Sequence, residues 1–294
     1  MSNPNITLIL CTLRRDAELD RLFESLQYQG TQFDLIVVDQ NADNRIQRKL
    51  SKYPHLAHAK VIRSSPGLSY GRNVGLRLAL AGTILAFPDD DSAYPPLTLR
   101  RVEAFLDSHP EVGILCGSVS ADWTCLQETG GQLKPIEARR ASALTLFGAV
   151  TSHSIFLNTR SNTARREWDI FDEHLGVGAQ FGSAEEIDVV YRLRREGMQL
   201  YLTEECVSCH PDKDRGVVNP QRAYYYALGV GGFFRKNITL QISVLLLLLK
   251  VAIGPIVKLA IAFVRARPLQ IRYHICTLVG RYRGFCIWRN ERSV

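Results

Sequence analysis

The sequence predicts an α/β protein, a mostly parallel sheet flanked by helices on both faces, with an apolar and basic helical tail at the C-terminal end. Three observations carry that prediction. Short apolar runs of strand length alternate with segments whose apolar residues recur at helical spacing. Hydroxyl and acidic residues stand where several of these apolar runs stop. The stretch Ile238–Val264 is more apolar than anything before it, and arginines follow it.

The elements follow in order. Ile6–Cys11 suits a buried strand, and Asp16–Gln29 places Leu19, Leu22, Phe23 and Leu26 on one helical face. Phe33–Val38 is a second buried strand ending at Asp39, and Lys60–Ile62 a third. Leu68–Leu80 reads as helix, and Thr83–Phe87 as a strand that runs into Pro88-Asp89-Asp90-Asp91. Pro95–Ser108 is helical and Val112–Val119 a strand; Thr124–Ala143 is polar and reads as a long loop. His153–Leu157 reads as strand, the glycine-rich Gly176–Gly182 as a mobile loop, Glu185–Glu196 as helix and Met198–Leu202 as a short strand. In a sheet of this kind ligands bind beyond the carboxyl ends of the strands, so Thr12, Asp39 and Asp89–Asp91 are expected to share one site.

Composition narrows the functional classes. The chain has 294 residues, 46% of them hydrophobic and 22% charged, as expected for a protein that buries a core. Its net charge of +7 is uneven. From Arg235 onward eleven Lys/Arg face one acid, Glu291, so the tail carries +10 and residues 1–234 carry −3. Basic charge on the most apolar part of the chain points to an anionic membrane surface and away from nucleic acid. Met1–Arg14 lacks the layout of a signal peptide, so the expectation is a cytosol-exposed protein whose seven cysteines stay reduced.

Two motifs carry chemistry. Asp89-Asp90-Asp91 directly follows a buried strand, and three adjacent carboxylates repel unless a cation or strong donors meet them. Hard oxygen ligands suit Mg²⁺ or Mn²⁺, which would neutralise a diphosphate leaving group; a solvated turn that caps the next helix is the plainer alternative. Gly67–Leu76 is glycine-rich and opens a helix, so its N–H groups and Arg72 are candidates to face phosphate, although the spacing is not that of a P-loop.

These residues together resemble the inverting family 2 glycosyltransferases of the GT-A (Rossmann-like) fold. The matching pieces occur in the family's order from about Ile6 to about Gly232: Cys11-Thr12-Leu13-Arg14, Val37-Val38-Asp39-Gln40, Gly67–Gly75, the acidic triplet, Glu185-Glu186-Ile187-Asp188 and His210-Pro211. The sub-group that builds exopolysaccharide, capsule or O-antigen chains is the most similar. The resemblance implies a catalytic domain over residues 1–234, with a donor half to about 120 and an acceptor half after it, and a helical tail over 235–294. It implies that Thr12, Arg14, Asp39, Arg72, Asn73, Asp89 and Asp90 bind the nucleotide-sugar. Asp39 would take a hydrogen bond from a base, uracil by preference, and Arg72 and Asn73 would lie near base and ribose. Asp89, Asp91 and His210 would hold Mn²⁺ or Mg²⁺.

Glu185-Glu186 aligns with the family's Glu-Asp pair, whose second member is the general base. Glu186 stands where Asp is usual and reaches one methylene further, so Glu185 and Asp188 remain alternatives. Acids in a helix's first turn are also favourable without any catalytic role. Cys206-Val207-Ser208-Cys209-His210 matches a c-type haem attachment pattern, but that chemistry needs export, and as a zinc site the pair lacks a second one. Cys11, Cys116, Cys125, Cys276 and Cys286 read as scattered small apolar residues.

Within Ile238–Val264, Lys250, Lys258 and Gly254-Pro255 interrupt the apolar run. A lysine at the centre of a spanning helix costs roughly 2.5–3.5 kcal/mol on insertion scales, so an in-plane or re-entrant helix is expected over one that crosses the membrane. A buried helix or an oligomer contact is the alternative. Arg265, Arg267, Arg272, Arg281, Arg283, Arg289 and Arg292 would meet anionic headgroups. The function expected is transfer of a sugar from a nucleotide-diphosphate sugar to a saccharide or polyprenyl-linked saccharide at the cytoplasmic face of the cell membrane. The rivals are a sugar nucleotidyltransferase, for which the phosphate loop after the first strand is missing, and a non-catalytic carbohydrate-binding protein on a membrane. A processive synthase would need several spans and a Gln-x-x-Arg-Trp motif, and neither is found.

Overall fold

The computed structural model of the protein describes residues 5–79, 82–127, 134–161, 170–211, 218–238 and 242–289. Leu80 of the expected helix Leu68–Leu80, residues 128–133 of the expected loop, residues 239–241 of the apolar stretch, and Glu291 and Arg292 lie outside the described residues.

Eight strands form one sheet: β1 (Ile6–Thr12), β2 (Asp34–Asp39), β3 (Lys60–Arg63), β4 (Ile84–Ala86), β5 (Val112–Ser120), β6 (Ala138–Arg140), β7 (Ile155–Asn158) and β8 (Gln199–Cys209). Their order is β3-β2-β1-β4-β7-β5-β8-β6. β1 runs parallel to β2 and β4, β2 to β3, and β5 to β8, while β7 is antiparallel to β4 and β5 and β6 to β8. Because β7 reverses direction between β4 and β5, the parallel strands on either side of it end on the same edge of the sheet. All seven residues of β1 are buried. Burial on both faces is why its sequence is a continuous apolar run instead of an alternating one.

The helices are α1 (Ala17–Leu26), α2 (Arg45–Leu50), α3 (Leu68–Leu76), α4 (Thr98–Ser108), a short kinked α5 (Leu146–Ala149), α6 (Glu185–Arg195), α7 (Pro220–Asn237), α8 (Ile242–Val264) and α9 (Pro268–Ile287). Leu19, Leu22 and Phe23 of α1 and Leu99 and Val102 of α4 join Leu8 and Leu10 in one core. Leu76 of α3 and Ile187 and Val190 of α6 join Ile9 and Val38 in the other. The glycines of α3 serve this packing. A Cβ on Gly75 would stand 2.5 Å from Ile9 Cγ2, so only glycine lets the helix lie this close to β1.

Three expectations are corrected. Thr124–Ala143 is not loop throughout. It contains a 3₁₀ turn (Trp123–Gln127) and β6, a short edge strand whose Ala-Arg-Arg composition has no apolar alternation to announce it. The strand expected at Met198–Leu202 runs on to Cys209, because β5 continues to supply it with backbone partners. Gly176–Gly182 is tied down: the Leu68 N–H donates to Val177 O at 3.1 Å, Gly176 N–H to Phe181 O at 2.8 Å, and Tyr225 Oη to Ala179 O at 2.9 Å.

The tail is packed onto the sheet and its helices. The expected boundary at residue 234 falls inside α7, and α9 lies against α7 so closely that a Cβ on Gly284 would stand 2.2 Å from Leu228 O. Trp288 packs on Phe181 with ring centroids 4.7 Å apart, and Leu247 of α8 is buried in the main core. The remainder of α8 faces outward, with Leu245, Leu246, Leu249, Ile253, Ile256, Val257, Ile261 and Phe263 all exposed. Leu245–Val264, of mean hydropathy 2.2, is long and apolar enough to cross a membrane by length and composition.

Candidate active site

The carboxyl ends of β1, β4, β5 and β8 open onto one cleft of about 1020 Å³, closed on the other side by the N-terminus of α6 and by α7 and α9. Phe87-Pro88 ends the β4 extension, and Ser92 closes the acidic turn by donating its N–H and Oγ to Asp89 O at 3.0 and 2.8 Å. The triplet therefore projects into the cleft from a fixed turn.

Its repulsion is offset by specific donors. Arg15 stands 3.3 Å from both Asp90 Oδ1 and Asp91 Oδ2. Thr12, at the end of β1, donates its hydroxyl to Asp90 Oδ2 at 3.1 Å. Ser152 donates to Asp89 Oδ1 at 3.1 Å, and His210, just past β8, places Nε2 3.0 Å from Asp91 Oδ1. Burial is the main reason the Asp90 carboxyl is pushed up to about 6; Arg15 pulls it back and Asp91 adds to the rise.

His153 completes this end of the cleft. It stacks on His210 with centroids 4.7 Å apart, and its Nδ1 pairs with Ser208 Oγ at 2.9 Å. Burial pushes it down to about 4, which favours the neutral imidazole and makes its remaining nitrogen a candidate ligand. Asp89, His153 and His210 bring one ligand atom each within 4.8 Å of one another. A carboxylate with two imidazoles fits Mn²⁺ better than Mg²⁺, which prefers oxygen alone. Asp91 pairs with His210 and Arg15 beside this trio.

At the other end, Glu185 and Glu186 begin α6. Glu186 lines the cleft, and its Oε2 is buried without a hydrogen-bond partner among the described residues. Burial first, and then the neighbouring Glu185 carboxylate, hold Glu186 well above the usual carboxylate range. Arg72 ties the two ends together. Its guanidinium, almost wholly buried, reaches Asp89 Oδ1 at 3.1 Å and Glu185 Oε1 at 3.3 Å and lies over the Phe171 ring.

Other expected site residues have partners within the protein. Arg72 is engaged by these two carboxylates. Asn73 is spent on the protein: its amide donates to Phe171 O at 2.9 Å and accepts from Phe171 N at 3.0 Å. Asp188, an alternative base, is fully buried and held by Arg192 at 2.8 Å, Lys236 at 2.8 Å and Asn237 at 2.9 Å, so it has no approach to a substrate. Asp39 is buried at the end of β2, with Oδ1 accepting from Asn41 and Oδ2 3.1 Å from Arg63 without hydrogen-bond geometry. Arg14 is exposed, at φ +60°, its N–H bonded to Asn41 Oδ1 at 2.6 Å.

Arg15 and His153 were not singled out by the sequence. Arg15 had a signal in its place beside Thr12-Leu13-Arg14, whereas His153, in a 3₁₀ turn before β7, had none. Cys125, read as an isolated apolar residue, is joined to Cys209 by a disulfide, which corrects the expectation that all seven cysteines are reduced; the other five are free thiols.

A nucleotide-sugar transferase of the GT-A type is the class that this sheet and cleft define. The family model described as Glycosyl transferase family 2 matches residues 7–167, more than half of the chain, and the chain belongs to that family. No curated protein matches it by sequence. Among solved structures it is similar to Staphylococcus aureus TarS residues 1–349, at 16% identity over 96% of this chain and 90% of that one, with a TM-score of 0.54. It is similar to the mannosyltransferase PcManGT of Pyrobaculum calidifontis, solved with GDP-Man and Mn²⁺, at 14% identity over 97% and 88%, with a TM-score of 0.64. GalNAc-T7, solved with UDP, GalNAc and Mn²⁺, matches at 14% identity over 77% and 47%, with a TM-score of 0.52.

Proposed function

We propose that the protein transfers a sugar from a nucleotide-diphosphate sugar, UDP-linked, to a hydroxyl of a saccharide or polyprenyl-linked saccharide, with inversion and with Mn²⁺ or Mg²⁺, in cell-surface polysaccharide synthesis. The single observation that carries this reading is the Arg72 bridge, which sets the acidic turn and the α6 carboxylates across one cleft. Neighbouring folds with bound nucleotide-sugars and Mn²⁺ support it, since TarS has been solved with UDP-GlcNAc and PcManGT with GDP-Man.

Asp89, His153 and His210 would hold the metal ion, Mn²⁺ by preference, with Asp91 orienting His210. When bound, the ion supplies positive charge to the diphosphate leaving group. Thr12 and Arg15 fix Asp90. Glu186 takes the proton of the acceptor hydroxyl as that oxygen attacks the anomeric carbon from the face opposite the leaving group. Its unpaired Oε2 and raised proton affinity suit that task. Glu185, committed to Arg72, positions the helix end.

The outward apolar side of α8 and the arginines of α9 would lie on the cytoplasmic face of the cell membrane, as a peripheral or monotopic attachment. Lys250 supports an in-plane placement, because its Nζ donates to Leu144 O at 2.9 Å and so turns toward the catalytic body. A panel of nucleotide-sugars, scored for Mn²⁺-stimulated release of nucleotide, tests the activity. Release from one donor that a chelator stops is the expected result; no release from any donor, with and without saccharide and lipid-linked acceptors, would overturn it.

A further inference from the structure

We propose that Cys125, Cys206 and Cys209 form a thiolate site for one zinc-class metal ion, separate from the acidic metal site of the cleft. Their three sulfurs lie within 4.8 Å of one another. Three thiolates tetrahedrally placed on a metal at about 2.3 Å stand roughly 3.8 Å apart, so small side-chain adjustments suffice. Soft sulfur ligands select zinc-class ions over the hard cations that carboxylates prefer.

The backbone builds this cluster against the ordinary rule for a strand. Residues three apart on a strand point to opposite faces. Between Cys206 and Cys209, however, β8 advances three residues while β5 advances two, from Ser118 to Ser120, and the register shifts. The extra residue is a bulge, and it turns Cys206 to the face of Cys209. Cys125 arrives from the turn after β5. Ser120 Oγ accepts from Asp122 N at 3.0 Å, and Asp122 Oδ1 accepts from Thr124 N at 3.0 Å, which folds the 3₁₀ segment back over the strand end.

Cys125 and Cys209 are disulfide-bonded in the structure, with Cα atoms 7.6 Å apart. Disulfides usually span about 4.4–6.8 Å between Cα atoms, and thiolates sharing one tetrahedral metal stand further apart than bonded sulfurs, about 3.8 Å against about 2.0 Å. The metal site belongs to the reduced protein. A thiol reductant supplies two electrons and two protons to open the bond, giving two thiols. Metal binding then expels thiol protons to solvent, and water fills the remaining coordination position.

The site would stiffen the catalytic end of β8. Cys209 exchanges two backbone hydrogen bonds with Ala93, at 2.7 and 2.9 Å, two residues beyond the acidic triplet. Its neighbour His210 is bonded through N–H to Ser120 O at 2.9 Å and through Nε2 to Asp91.

The test uses full-length protein in detergent, reduced with a phosphine and loaded with Co²⁺. Cobalt on carboxylate and imidazole gives no sulfur-to-metal charge-transfer band, so the cleft site is silent in this readout, whatever the protein's activity. The expected result is an intense near-ultraviolet sulfur band of the strength of one thiolate-bound cobalt per chain, lost in Cys125→Ser and in Cys206→Ser. A variant-free measurement accompanies it: Zn²⁺ should shield Cys125, Cys206 and Cys209 from alkylation and leave exposed Cys286 reactive, as read by peptide mass spectrometry. Absence of the band in reduced wild type, its survival in either variant, or alkylation of the three cysteines at unchanged rate with Zn²⁺ present, overturns the proposal.

Discussion

Arg72→Met removes the brace between the two halves of the cleft while keeping most of the side chain's length and its apolar contact with Phe171. The side chains of Arg72 and Glu185 are only 2% and 7% exposed, whereas that of Asp89 is 28% exposed. Removing one partner of a buried pair costs about 3–5 kcal/mol because the other charge is stranded. Glu185 bears that cost nearly in full, while Asp89 recovers part of its hydration, so the lower end, about 3 kcal/mol, is expected. At about 2–4 °C per kcal/mol for domains somewhat smaller than this chain, the midpoint should fall by on the order of 10 °C. Arg72→Lys should fall between, since an ammonium cannot fork to two carboxylates. Adding Glu185→Gln to Arg72→Met should restore about 1–3 kcal/mol by removing the stranded charge. Thermal and urea unfolding of the detergent-solubilised protein reads these differences, beside nucleotide release. If Arg72→Met lies within about 0.5 kcal/mol of wild type, the range of an ordinary surface substitution, the bracing argument fails.

Glu186→Gln should leave donor binding intact and lower turnover by about 10²–10⁴-fold, because an amide takes no proton; turnover near wild type, with Glu185→Gln inactive, would move the base by one residue. The same substitution tests the raised proton affinity of Glu186. A carboxyl that binds its proton more tightly folded than unfolded makes stability fall as pH rises from about 4.5 through its higher folded value, so Glu186→Gln should flatten that slope and be the more stable protein at neutral pH. Excess chelator should stop nucleotide release and Mn²⁺ restore it; His153→Ala should need more Mn²⁺ for half-maximal rate, and full activity in chelator would remove the metal from the mechanism. In membrane fractionation, high salt should release only part of the protein, since screening weakens arginine contacts of about 1 kcal/mol each but leaves apolar burial of α8 in place. A C-terminus cut by protease from the far side of sealed vesicles would instead show that α8 spans. Truncation after Asn237 should yield an unstable domain, because it strips α9 and Trp288 from α7 and Phe181.

The parallel strands and the helical layers are legible in the sequence, as is the fact that the acidic triplet, Glu185-Glu186 and His210 stand out from it; the structure brings these onto one cleft. Those follow from rules that act within a few residues: an unbroken apolar run is a strand buried on both faces, and ionisable groups cannot continue it, so chemistry collects where it stops. The glycines of α3 were legible as a motif, whereas the close approach of Gly75 to Ile9 is visible only in the packed structure. Short edge strand β6 escaped notice because its pairing is paid by β8, not by its own pattern. The partnerships between residues far apart along the chain come from the folded arrangement alone. Arg72 meets Glu185, His153 meets His210, Asp188 is taken up by Lys236 and Asn237, and Cys125 reaches Cys209. No local preference encodes such meetings. Each arises because packed helices and a bulged strand bring charged or sulfur-bearing groups into a space without water, where they must find one another.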